Sequence, residues 1–196
     1  MHRLAIFITD FGDGAVTVPL AAVTMVILFA LRRPRLALGW GVSIAACAGT
    51  IGALKLALAA CCHRSGLASP SGHVAMSAAV YGGLVLLLAG SLAPLERRAA
   101  AIGAALLVAA IAASRIALHE HSIAEVVIGL VVGGAALAAL RVVVAAVPPG
   151  FLPVIWFGAA AAITIIVMHG TRWHTEGAIH ALAGLDLFHA LLPWCG

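Results

Sequence analysis

The chain has 196 residues, 64% of them hydrophobic and only 9% charged, with a mean hydropathy of +1.16. That composition argues against a water-soluble globular domain and for an all-α integral membrane protein. The net charge of +4 comes without any basic stripe interleaved with aromatics, so nucleic acid is not an expected partner. In chain order, apolar runs lie near residues 15–31, 36–60, 74–94, 98–118, 123–146 and 151–168. Each has the length, about 17 to 25 residues, that crosses roughly 30 Å of hydrocarbon as a helix. A bundle of six transmembrane helices is therefore expected, and the abundance of alanine and glycine favours close helix–helix contact. Ahead of the first run, the stretch after Met1-His2-Arg3 is broken by Asp10, Gly12, Asp13 and Gly14, a pattern unlike a cleaved signal peptide. No repeat or change of composition divides the chain, so one domain over residues 1–196 is expected, with Pro148-Pro149-Gly150 as a turn between membrane segments.

Charge placement predicts the orientation. The first connection carries Arg32, Arg33 and Arg35, the third Arg97 and Arg98, and the fifth has Arg141 beside it. Basic residues next to membrane segments are retained in the cytoplasm, so the second and fourth connections and both termini should lie outside. Asp10, Asp13, Glu120, Glu125, Glu176 and Asp186 fall on that outer side, and Glu96 inside. The expected location is a bacterial inner membrane with its functional residues on the periplasmic face.

Residues 171–196 differ in texture, with His174, His180, His189 and Asp186 scattered through an apolar run. Their spacing makes no convincing metal site, and a helix lying in the outer interface is the expectation. Of the cysteines, Cys47 is mid-membrane, Cys61 and Cys62 are adjacent and Cys195 is near the end. A bridge from Cys195 to Cys61 or Cys62 is conceivable, but unpaired cysteines in apolar surroundings are expected.

Chemistry concentrates in two strings at the outer ends of membrane segments, where an ionisable group is costly and calls for a functional reason. In Pro70-Ser71-Gly72-His73, Ser71 is a natural N-cap for the third segment. The first-turn N–H groups beside it suit an anion, Gly72 permits close approach of an oxygen, and His73 exchanges a proton near neutral pH. In the second string, Ser114-Arg115 closes the fourth segment, His121 opens the fifth, and Glu125 follows four residues on. That spacing puts His121 and Glu125 on one helical face, so the carboxylate can fix the ring tautomer and leave the other nitrogen for an electrophile. Lys55, in the last turns of the second segment, and Arg64, after it, supply candidate cations for phosphate oxygens. His63 and His119 read as loop and boundary histidines, and Glu120 as a solvated charge.

These motifs resemble the type 2 phosphatidic acid phosphatases, membrane relatives of vanadium haloperoxidases. Their signature is Lys-x6-Arg-Pro, then Pro-Ser-Gly-His, then Ser-Arg-x5-His-x3-Asp. Residues 70–73 match the second part in full, and Ser114, Arg115 and His121 match the third, with Glu125 in place of aspartate. In the first part, Lys55 is followed by Cys62-His63 where Arg-Pro is expected, and the nearest arginine is Arg64. The likeness spans about residues 55 to 130.

The resemblance implies a lipid phosphatase that needs no cofactor and no metal. His121 is the nucleophile, Glu125 its orienter and His73 the acid and base. Lys55, Arg64, Ser71, Gly72, Ser114 and Arg115 bind the phosphate. Phosphatidate, phosphatidylglycerol phosphate and undecaprenyl pyrophosphate all suit such a site as substrates. The alternative is a membrane transporter or binding protein that holds an anionic lipid headgroup without cleaving it.

Overall fold

The computed structural model describes residues 2–61, 69–148 and 150–173. These form seven α-helices with no strand among the described residues: α1 (His2–Asp10), α2 (Gly14–Ala30), α3 (Pro34–Cys61), α4 (Gly72–Leu88), α5 (Pro94–Ala117), α6 (Ile123–Ala146) and α7 (Val154–Met168). The six expected segments correspond to α2 through α7. Helix α1 is an addition: the stretch before Asp10 forms its own short helix, packed on α5, and turns at Phe11–Asp13 into α2. Three stretches, in α3, α5 and α6, are long and apolar enough to cross a membrane, and a fourth runs from His2 to Ala30 through that turn. Helices α4 and α7, with 17 and 15 residues, are apolar but shorter. Large aliphatic side chains such as Val42, Leu106, Val131, Ile155 and Ile166 face outward. Such a surface suits hydrocarbon and not water, and the protein is an integral membrane protein.

Helix α4 is the hub, packing against α2, α3, α5 and α6. Small residues make this possible. A Cβ at Gly129 of α6 would stand 2.6 Å from the Ser71 carbonyl oxygen, and one at Gly133 would stand 2.5 Å from that of Ala75. The Gly129-x3-Gly133 pair thus lets α6 lie backbone to backbone against the start of α4. Trp40 of α3, fully buried, donates its indole N–H to the Ala21 carbonyl at 2.9 Å and fills the space beside Gly83, joining α2, α3 and α4.

The two ends of the bundle differ. At one end Arg33 lies against Gly150, and the Leu152 N–H donates to Ser91 Oγ at 2.8 Å, so the three basic connections meet. At the other end the starts of α2, α4 and α6 gather with the end of α5 and the segment after α7. Both motifs lie here. Arg64, His63, Cys62 and residues 174–196 of the expected interfacial tail lie outside the described residues.

Candidate active site

The site begins with the turn that opens α6. Ser122 is the N-cap and Glu125 the third residue of the helix, and they satisfy each other: the Ser122 N–H donates to Glu125 Oε2 at 2.9 Å, and the Glu125 N–H donates to Ser122 Oγ at 3.3 Å. This capping box closes the first turn. His121 stands just before it, outside the helix, with Nδ1 3.3 Å from the same Oε2. The pair therefore meets for a different reason from the shared helical face expected above: Glu125 reaches backward over the cap. Its other oxygen, Oε1, accepts the Ser69 N–H at 2.8 Å, and the Ser71 N–H donates to the Glu125 carbonyl at 3.1 Å. Glu125 thus fastens the Pro70–His73 string to His121.

Both partners are buried, and a carboxylate facing Nδ1 favours the His121 tautomer that carries its proton there and its lone pair on Nε2. Burial pushes the His121 pKa below its usual value, the Arg115 charge pushes the same way, and the Glu125 hydrogen bond opposes them.

Beside this pair lies a cavity of about 640 Å³, lined among others by Lys55, Gly72, His73 and Arg115. Lys55 extends from α3 so that its Cε would lie 4.0 Å from a Cβ at Gly72. Cations from α3 and α5 thus share one chamber with the first turn of α4. Ser71, Ser114, His121 and Glu125 are buried and are not among the residues that line the cavity. Ser71 occupies the N-cap position of α4, but its Oγ makes no capping bond; it is fully buried with no hydrogen-bond partner among the described residues. A buried hydroxyl left so costs about 1–3 kcal/mol. Ser114 Oγ donates to the Ile111 carbonyl at 2.7 Å, so it is engaged with its own helix and not with the cavity. Among the described residues, no three His, Cys, Asp or Glu side chains gather as metal ligands.

Sequence reasoning passed over a further layer. Asp13 Oδ2 lies 3.3 Å from His73 Nε2, and Thr9 Oγ1 accepts from Arg115 at 3.4 Å. Arg172, after α7, clasps Asp10 with both its Nε and Nη2, at 2.7 and 3.1 Å, and Glu120 stands 3.8 Å from Arg115. All of these residues line the cavity. The signal was present in Asp10 and Asp13, two carboxylates beside an apolar run in a chain with seven acidic residues in all.

The PAP2 superfamily model matches residues 55–148, from Lys55 through the whole of α6. A protein from Klebsiella pneumoniae described as an uncharacterized 22.5 kDa protein in the cps region is 30% identical over 184 residues, covering 90% of this chain and 88% of that protein. No solved structure matches. Because the matched stretch carries the same Lys55, His73, Arg115 and His121 that the fold brings to one end of the bundle, the chain belongs to the PAP2 superfamily, a family of phosphatases acting on phosphate esters.

Proposed function

We propose that the protein removes phosphate from a lipid phosphate or pyrophosphate through a phosphohistidine on His121. The observation that carries this reading is the Glu125 carboxylate, held by the Ser69 and Ser122 N–H groups and turned onto His121 Nδ1. An imidazole so backed is an oriented nucleophile. In the first step Nε2 forms a bond to phosphorus as the bond to the leaving oxygen breaks, and His73 gives that oxygen a proton. In the second, His73 takes a proton from water, the oxygen attacks phosphorus, the N–P bond breaks, and inorganic phosphate departs. Lys55, Arg115 and the Gly72 N–H hold the equatorial oxygens, with Ser71 Oγ as a further donor; each such donor is typically worth a few kcal/mol to the transition state. Arg64 and Ser114 are the remaining binding candidates, the first outside the described residues and the second not among the residues that line the cavity.

A lipid substrate is supported by the apolar part of the cavity wall, where Ile6, Val18, Ala48, Ile51, Met76 and Leu118 stand next to the cations. The basic connections at the opposite end support an outward-facing site in a bacterial inner membrane. The purified protein is expected to release phosphate from a lipid phosphate with chelator present. His121→Ala and His73→Ala should each lower turnover by about 10²- to 10⁴-fold without loss of folding. Full activity in both variants would refute the mechanism, and a wild-type protein that binds the lipid but never yields an acid-labile phosphohistidine would be a transporter or binding protein instead.

A further inference from the structure

In the proposed reaction His73 moves two protons, so its ring must be held in one orientation and one tautomer. The α4 face that carries it runs His73, Ser77, Tyr81, spaced four residues apart, and against this face lies the turn between α1 and α2. Tyr81 donates its hydroxyl to the Phe11 carbonyl at 2.7 Å. At Gly12 the approach is so close that a Cβ would stand 2.9 Å from Ser77 Oγ and 3.3 Å from His73 Cβ. Asp13 follows, 4% exposed, at the N-cap of α2. Its Oδ1 accepts the Ala15 N–H at 2.8 Å and the Trp173 N–H at 3.2 Å, while Oδ2 faces His73 Nε2 at 3.3 Å.

An N-cap needs one oxygen, and serine, threonine or asparagine supplies it as well as aspartate does. Here one oxygen satisfies two backbone donors, and the second is directed at a histidine on another helix. Resting on the phosphohistidine mechanism above, we propose that Asp13 is the positioning residue of His73: it holds the Nε2–H, so that Nδ1 delivers the proton to the leaving oxygen and later accepts one from water. Asp10, Lys55, Arg115, Glu120 and Arg172 line the same cavity, but Asp13 makes the one ion-pair contact to the His73 ring among the described residues.

The test exploits leaving-group chemistry. Asp13→Ser keeps a capping oxygen and cannot reach His73, whereas Asp13→Asn keeps the shape but presents no second acceptor. Rapid-quench formation of the phosphoenzyme is measured with a long-chain alkyl phosphate, whose leaving oxygen needs a proton, and with a nitrophenyl phosphate, whose leaving oxygen does not. With both variants the rate on the alkyl substrate should fall about 100-fold, and that on the aryl substrate by less than about threefold, with KM little changed. Asp13→Glu should recover part of the alkyl rate. Equal losses on the two substrates, or none on either, would overturn the assignment. His73→Ala is measured in parallel: if it discriminates between the leaving groups while the Asp13 variants do not, the positioning role alone falls. If His73→Ala shows no discrimination, the role of His73 falls and that of Asp13 with it.

Discussion

At Glu125 a single side chain meets two demands. At the third position of α6, the Glu125 side chain reaches back to the N–H of the N-cap residue Ser122. The same reach brings Oε2 to His121 Nδ1. It also places the pair where burial and the nearby Arg115 keep the imidazole neutral. As the proposed nucleophile, His121 should therefore stay active below the usual histidine range, and the acidic limb of the kcat/KM profile is expected to have its midpoint below 6.5. A midpoint above that value would contradict the environment described. The linkage to stability has the same sign. A depressed pKa means that the folded protein binds fewer protons than the unfolded chain, so this contribution is complete above 6.5 and is lost as pH falls through the folded value.

Among the elements, the contact between α4 and α6 sets the distance between the two motifs. Gly129 touches the Ser71 carbonyl across it, and no methyl group fits there unless the backbone moves. Gly129→Ala should push the start of α4 away from Glu125, costing about 1–3 kcal/mol through overpacking. A displacement near 1 Å at the reacting groups also lowers kcat by about 100-fold. Gly134 meets nothing within 4 Å, and Gly134→Ala should leave activity intact and slightly raise thermal stability. Measuring kcat and the unfolding temperature for both variants checks the contact; equal behaviour would show that it does not set the site.

Over the whole molecule, the helices deliver the basic connections to one end and the strings that carry His73 and His121 to the other. In a cysteine-free background, Glu120→Cys should react with a membrane-impermeant maleimide added to intact cells, and Leu95→Cys should be shielded until the membrane is opened. The reverse pattern would invert the proposed orientation.

The six apolar segments were legible as helices because an apolar run in a membrane must satisfy its backbone internally, although α4 and α7 are shorter than the runs that announced them. His73, Arg115 and His121 were legible too, because spacing within a short string survives folding. Tertiary structure decided what spacing along the chain does not encode. It seated α1 against α5, brought Asp13 to His73 and Arg172 to Asp10, and left the Ser71 hydroxyl without a capping bond. The physical reason is that local sequence sets which backbone groups pair within a helix, whereas the partner of a side chain depends on how closely the helices approach. That approach is controlled by glycines such as Gly12 and Gly129, whose meaning appears only when the surface they face is known.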